Sequence, residues 1–311
     1  MRVIVFGAGA VGSLFGAALA ATGQEVLLVA RPTHVAAIAT HGLMVRSDTD
    51  RRVELRAVES LPKGSSTDLV LLTVKSYDVR AAGTALAGAI PAPTPVFALQ
   101  NGLGIEPELI EGLRAGGWAD ASRWVVRGVH TIPARLVGPG VVQPTGSGEV
   151  VLGRNPAIPE ASERLRDALT AAGFGARVTD DIEREVWRKV LVNASINPVT
   201  ADHGIPNGRL VEEPWRGQAK ALLAEALQVA AAEGFRFDPA EAERAVFGVA
   251  RATASNRSSM LEDVERGRRT EVDSISGSLL ALGRRHGFPM TATERAIVRI
   301  RTREAERKAA G

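Results

Sequence analysis

The stretch RVIVFGAGAVGSLFG, residues 2–16, constrains the chain more than any other part of it. A run of Val, Ile and Phe reads as a buried strand. It is followed at once by Gly7-x-Gly9-x-x-Gly12 and a small-residue helix from about Val11 to Thr22. In that order the three glycines have separate tasks: a tight turn, approach of the backbone to a pyrophosphate, and close packing of helix on strand. The helix N-terminus adds N–H donors and the positive end of a dipole for phosphates. Gly7, Ala8, Gly9, Ala10, Val11 and Gly12 are therefore expected to form a dinucleotide cradle; outside the strand–turn–helix context the same spacing would only be a Gly-rich turn. The stretch also imitates a secretory signal, with an early Arg2 and an A-L-A ending, but regularly spaced glycines make a poor uninterrupted signal helix.

Near-continuous apolar strands follow, at EVLLVA (25–30), TDLVLLTVK (67–75) and TPVFALQN (94–101). Strands without polar alternation belong in a sheet covered on both faces, hence parallel and doubly wound. WVVRGVHTI, GVVQPTG and EVVLG, from about residue 124, read as a less regular extension of that sheet. Beyond residue 180 the period becomes helical. Asp180 and Glu183 have capping-box spacing, residues 215–232 carry a helical stripe closed by Gly234, and Asp238-Pro239 starts another helix. Thr291-x-x-Glu294 starts the last. The expected fold is an α/β Rossmann-type doubly wound N-terminal domain over residues 1–180, followed by an all-α C-terminal domain over residues 181–311.

The identity of the dinucleotide depends on the end of the second strand. A site for NAD places an acid there, to hold the ribose 2′-OH. This chain reads LLVARPTH, with Arg31 and no acid. A guanidinium suits a 2′-phosphate through charge-assisted, bidentate hydrogen bonds, so NADP(H) is the expected cofactor. The plainer reading is a surface arginine before a helix started by Pro32. Lys75 and Asn101 close two later strands, where open sheets bind ligands. Lys75 could instead reach to solvent, and Asn101 could be a turn former before Gly102.

Bound nicotinamide implies hydride transfer, and reducing a carbonyl also needs a proton donor at the developing alkoxide. WRKVLVNASINPVT (187–200) supplies one. Lys189, Asn193 and Asn197 fall at i, i+4 and i+8, a polar ridge on an otherwise apolar helix. A half-buried lysine has its pKa lowered and can donate a proton, while the amides can hold a substrate. Pro198 is expected to end or kink the helix at Asn197. In TASNRSSMLEDVERGRRTEVD, residues Asn256, Ser259 and Asp263 line one helical face. Gly267 breaks that helix, and Glu271 falls in the first turn of the next, where capping alone could explain it.

Other chemistries find little support. There is no cysteine, and the five histidines show no metal-ligand spacing, so no metal is expected. The basic run RIRTREAERK near the C-terminus is interleaved with Glu304 and Glu306, a solvated helix face and not a nucleic-acid arm. Apart from the N-terminal stretch with its spaced glycines, no segment approaches the 18 apolar residues of a membrane span, so the chain is expected to be cytoplasmic, with no membrane partner.

Taken in order, G-x-G-x-x-G, the arginine after strand two, TVK, LQNG, WRKVLVNASINPVTA, NRSSMLEDVERGRRTEVD and HGFPMTATE resemble the ketopantoate reductases (2-dehydropantoate 2-reductases) across essentially the whole chain. The resemblance implies NADPH-dependent reduction of ketopantoate to pantoate, in pantothenate and coenzyme A synthesis. It makes Lys189 the proton donor and Glu271 a cofactor contact that helps arrange it. Asn193, Asn197, Asn256 and Ser259 become substrate ligands. Arg31, Lys75 and Asn101 become cofactor contacts, with Asn101 reaching the substrate and Ala134 offering its backbone near the nicotinamide. His130 and Gln143-Pro144 depart from the family's text, which bears on the shape of the acid pocket. A homodimer is the candidate assembly. Two other readings stay open: a paralogue that reduces another small branched 2-keto acid, and a non-catalytic NADP sensor, which would need none of Lys189, Asn193, Ser259 or Glu271.

Overall fold

Alternate side chains of the N-terminal strands go to opposite faces of one sheet, and both faces are covered. In the computed structural model, which describes residues 1–310, Val3 and Val5 join one buried cluster while Ile4 joins another. Leu69 and Leu71 separate in the same way from Val70 and Leu72. This is why these strands show no polar alternation. A fully buried Leu or Phe contributes about 1.5–3 kcal/mol, and neither face can be left wet.

The strands are β1 (Arg2–Phe6), β2 (Glu25–Val29), β3 (Leu43–Val45), β4 (Arg51–Val53), β5 (Arg56–Val58), β6 (Leu69–Leu72), β7 (Val96–Ala98), β8 (Val125–His130), β9 (Ala134–Gly138), β10 (Val141–Pro144), β11 (Glu149–Gly153) and β12 (Gly175–Thr179). The main sheet runs β12-β11-β8-β7-β6-β1-β2-β5. Helices α1 (Ala10–Ala21), α2 (Pro32–His41), α3 (Val79–Ala89), α4 (Ile105–Ala115) and α5 (Pro159–Ala171) belong to the same half of the chain. Leu14, Phe15, Leu165 and Leu169 of α1 and α5 fill one face of the sheet; Val79, Leu86, Leu109 and Leu113 of α3 and α4 fill the other. The N-terminal half is thus doubly wound.

Two sheet expectations need correction. The sheet is mixed, because β11 pairs antiparallel with β8 and carries β12 with it. A parallel return needs a crossover of a dozen or more residues, usually helical, and only the β9–β10 hairpin separates β8 from β11. That hairpin does not extend the main sheet either: β10 joins a second sheet in the order β4-β3-β10-β9.

The chain divides into two compact units, Met1–Gln100 with Ile105–Ile182, and Asn101–Gly104 with Glu183–Gly311. The second is helical: α6 (Ile182–His203), α7 (Trp215–Ala232), α8 (Pro239–Ala252), α9 (Ser259–Glu265), a π-helical turn at Asp273–Gly277, α10 (Ser278–Arg285) and α11 (Thr291–Ala310). Asp238 caps α8 as its sequence suggests, accepting the Glu241 N–H at 2.8 Å. Elsewhere the ends are right and the devices differ. The Asp180 carboxylate accepts from Arg154 at 2.9 Å, and it is Thr179 Oγ1 that receives the Asp181 N–H. The first turn of α11 is capped by Glu225 of α7, whose carboxylate accepts from the Ala292 and Thr293 amides, each at 2.8 Å. A carboxylate brought in by tertiary packing satisfies those donors as well as a local one does.

Candidate active site

The glycine loop is held from both sides. Gly7 and Ala8 donate to the Val29 carbonyl at 3.1 and 2.8 Å, and Thr73 Oγ1 donates to the Gly7 carbonyl at 3.0 Å. Two of the three glycines are explained by this packing. Gly7 has φ +105, and a Cβ there would lie 2.4 Å from the Val74 nitrogen. A Cβ on Gly12 would lie 2.5 Å from Thr73 Oγ1 and 2.7 Å from the Gly7 carbonyl oxygen. Gly9 is different. It is exposed, its φ of −75 suits any residue, and its Cβ would meet only the Gly7 oxygen, 4.0 Å away. Nothing within the protein requires a glycine there; an outside group resting on that backbone would. Gly9 also forms the N-cap of α1 without a side-chain cap, and the first turn carries no acid. The amides of Ala10, Val11 and Gly12 precede the first intrahelical bond, from Ser13 to Gly9, and point to an anion. These residues fit a dinucleotide pyrophosphate.

Arg31 is exposed and forms the N-cap of α2, with Pro32 opening the helix. Lys75 does not close a strand as expected. β6 ends at Leu72, and Lys75 forms the N-cap of a 3-10 turn over Ser76–Asp78. Ala134 opens β9, opposite Pro144. At the ends of β6 and β7, Gln100 Nε2 donates to the Leu72 carbonyl at 2.8 Å. The buried Arg127 donates to the carbonyls of Ala98 and Gln100 at 3.0 and 2.9 Å. Sequence reasoning missed Arg127, and a charged residue inside an apolar strand was the available signal.

In the helical unit, α6 runs unbroken from Ile182 to His203, with Pro198 inside it. The helix therefore does not end at Asn197, although Pro198 suggests an end there. Proline removes one hydrogen bond, leaving the Ala194 carbonyl without its usual donor. Against that loss, Ala194, Ile196, Val199 and Ala201 are all buried on a helix packed on most sides. Lys189, Asn193 and Asn197 thus share one ridge of a continuous helix. Lys189 is half-buried with its ammonium nitrogen shielded from solvent; Asn193 is half-buried and Asn197 is buried.

The second polar set is arranged differently from expectation. Asn256 lies outside the helix, since α9 begins at Ser259 with Ser258 as its cap. Ser258 Oγ accepts the Leu261 N–H at 3.2 Å and also lies 2.7 Å from Thr200 Oγ1 of α6. That pair joins the start of α9 to the ridge helix, and so brings Ser259 and Asn256 toward the end of α6 that carries Asn197. The Asn256 carbonyl is fixed by the Asn207 N–H at 2.9 Å. Thr200 and Ser258 were not singled out from the sequence, although the Ser-Ser doublet was a cap signal readable in two registers.

Glu271 lies just ahead of the π-helical turn and not within a first helical turn, and it is buried. Thr270 Oγ1 accepts the Val272 N–H at 3.2 Å. The Asn101–Gly104 segment belongs to this unit. Asn101 Nδ2 donates to Glu271 Oε2 at 3.1 Å, and the Leu103 N–H donates to the Ser274 carbonyl at 3.0 Å. The structure therefore brings together two residues, Asn101 and Glu271, that lie 170 positions apart in the chain.

Residues 3–157 match the family described as ketopantoate reductase PanE/ApbA, and residues 181–304 match its C-terminal part. The 2-dehydropantoate 2-reductase of Archaeoglobus fulgidus is 37% identical over 289 residues, covering 92% of each chain. The chain belongs to the ketopantoate reductase family. Among solved structures, a PanE/ApbA family ketopantoate reductase from Ralstonia eutropha JMP134 superposes with a TM-score of 0.86, at 32% identity over 99% of this chain and 100% of that one. A D-mandelate dehydrogenase bound to NADH and anilino(oxo)acetate superposes with a TM-score of 0.91, at 26% identity over 99% of each chain. This family member is a pyridine-nucleotide-dependent oxidoreductase acting on a small molecule. Among the described residues, no helix is long and apolar enough to cross a membrane, and no group of three acids or histidines is placed to hold a metal.

Proposed function

We propose that the protein is an NADP(H)-dependent ketopantoate reductase, which converts 2-dehydropantoate to pantoate on the way to pantothenate and coenzyme A. The observation that carries this reading is the ridge of α6, where a solvent-shielded ammonium stands in line with two amides on one unbroken helix. The glycine loop and the free amides at the start of α1 hold the pyrophosphate, and Lys75 and the Ala134 backbone lie along the remainder of the cofactor. Bound nicotinamide supplies the hydride. Lys189 stabilises the developing alkoxide and donates the proton to it. Asn193 and Asn197 bind the keto acid from the ridge, while Asn256 and Ser259 bind its hydroxyl and carboxylate ends. Asn101 and Glu271, already hydrogen-bonded to one another, meet the ribose and nicotinamide side of the cofactor and the edge of the substrate.

Turnover of ketopantoate, followed as loss of reduced-nicotinamide absorbance, tests the reading. Tight binding of NADPH with no turnover of any 2-keto acid would instead make the protein a nucleotide-binding sensor. One observation favours a second enzymatic reading: the D-mandelate dehydrogenase with bound NADH shares this fold over 99% of its length. The same machinery can thus serve another 2-keto acid and the non-phosphorylated cofactor.

Arg31 separates the two cofactors. Replacing it with alanine weakens NADPH binding by about 1.5–3 kcal/mol, the scale of a charged hydrogen bond, and leaves NADH nearly unaffected. Dissociation constants for both nucleotides check this, and equal losses would contradict a 2′-phosphate role.

A further inference from the structure

His34 sits in the first turn of α2, three residues after Arg31, and is buried. Its two ring nitrogens are both engaged. Gly140 of the β9–β10 turn donates its N–H to Nδ1 at 2.9 Å, so Nδ1 must hold a lone pair. Nε2 lies 3.0 Å from Ser13 Oγ in the first turn of α1. Ser13, fully buried, in turn donates to the Ala8 carbonyl of the glycine loop at 3.3 Å. The donors and acceptors agree in one direction only: Gly140 N–H to Nδ1, Nε2–H to Ser13 Oγ, Ser13 O–H to the Ala8 carbonyl. The network thus assigns a neutral imidazole with its proton on Nε2. One side chain thereby ties the glycine loop, α1, the start of α2 beside Arg31, and the second sheet.

We propose that neutral His34 is the positioning residue of the dinucleotide cradle, and that protonating it weakens dinucleotide binding. A second proton would go on Nδ1, turning the acceptor of the Gly140 N–H into a donor facing a donor. That turn would separate from α2 and the imidazole would shift, pulling on Ser13 and through it on the Ala8–Gly9 backbone. Burial holds the His34 pKa below its ordinary 6.5. For a group depressed in the folded state, the stabilisation is present above the ordinary value and is lost as pH falls through the folded-state value. The cradle is therefore intact at neutral pH and weakened in acid. No charge on a neighbouring element accounts for the shift: α1 has no ionisable side chain, and desolvation is the cause found. The charged or titratable groups on the elements packed around it include Arg31 at the N-cap of α2 and His41 at its end, Arg56 on β5, Arg51 and Arg52 on β4, and Arg135 on β9, the last bonded to Gln143.

This inference rests on the dinucleotide reading of the loop but not on the identity of the substrate. Calorimetric titration with oxidised NADP and NAD, from neutral pH to about pH 5, tests it on the whole protein. Affinity for both is expected to fall about 3–10-fold toward acid in the native protein, and to be nearly flat in His34→Gln. The NAD arm removes the titration of the 2′-phosphate. Identical pH profiles for native protein and variant would overturn the proposal. A second measurement needs no variant. By reciprocity, saturation with dinucleotide must lower the His34 pKa by the same factor, read from its imidazole NMR shifts. An unchanged His34 pKa on saturation, or a proton on Nδ1 of the neutral ring, would overturn it. Failure of both dinucleotides to bind at neutral pH would instead overturn the cradle itself, and this proposal with it.

Discussion

Replacing Lys189 with alanine lowers kcat for ketopantoate by roughly 10²–10⁴-fold, the contribution of a positioned general acid, while the NADPH dissociation constant changes by about twofold or less. The asymmetry follows from where the ammonium acts. Charge develops on the carbonyl oxygen only as hydride arrives, so the interaction strengthens in the transition state and contributes little to ground-state binding of the cofactor. Because the Lys189 nitrogen is shielded from solvent, bulk water is a poor substitute for the missing proton donor. Lys189→Arg separates the two roles. Arginine keeps the positive charge but does not give up a proton at any working pH, so it too is expected to lose most of the rate. Stopped or steady-state kinetics with a parallel binding titration decide the matter. Near-normal turnover in Lys189→Ala would remove the residue from the mechanism.

Gly102→Ala is expected to cost about 10–100-fold in kcat/KM, the scale on which an ångström of misplacement acts, without unfolding the protein. Gly102 has φ +93, and a Cβ there would lie 2.3 Å from the Ser274 carbonyl oxygen and 2.8 Å from its carbon. Both are backbone atoms of the π-helical turn and cannot rotate away. The segment must lift off, breaking the Leu103 N–H bond to Ser274 and drawing Asn101 away from Glu271. The left-handed backbone adds about 1–2 kcal/mol of strain, a local cost that lowers Tm by only a few degrees in a chain this long. Asn101→Ala should produce a similar kinetic loss, and the double variant little more than either alone, since both disrupt one contact. Normal kinetics in a folded Gly102→Ala protein would mean that Asn101 and Glu271 are not held for catalysis by this segment.

Most of the N-terminal architecture was legible because its signals are local. Gly7, Gly9 and Gly12 follow a buried strand, β6 is apolar at every position, and β1 and β2 are apolar after their exposed first residues, Arg2 and Glu25, because both faces are covered. What misled was non-local. Pro198 argues for a helix end by local sterics, yet Ile196, Val199 and Ala201 are buried around it and the helix continues. Thr291 and Glu294 looked like a self-contained cap, but Glu225, more than sixty positions earlier, fills that role. Strand direction at β11 depends on what connects it to β8, and a hairpin that joins another sheet leaves no trace in periodicity. In the candidate site the polar ridge of α6 was readable at helical spacing. The Ser258–Thr200 and Asn101–Glu271 pairs were not, since each joins residues remote in sequence. His34 carried no spacing signal at all, because its partners are a serine hydroxyl and a backbone amide.

The most direct test of the central claim is kcat/KM for a panel of 2-keto acids with NADPH and with NADH, including ketopantoate and the phenyl-substituted keto acid that corresponds to mandelate. Ketopantoate with NADPH should give the largest value of any pair, by about tenfold or more, the scale on which a pocket separates acids differing by several carbons. A higher value for another acid, or for NADH over NADPH, would contradict the account and make the protein a reductase of different specificity within the same family.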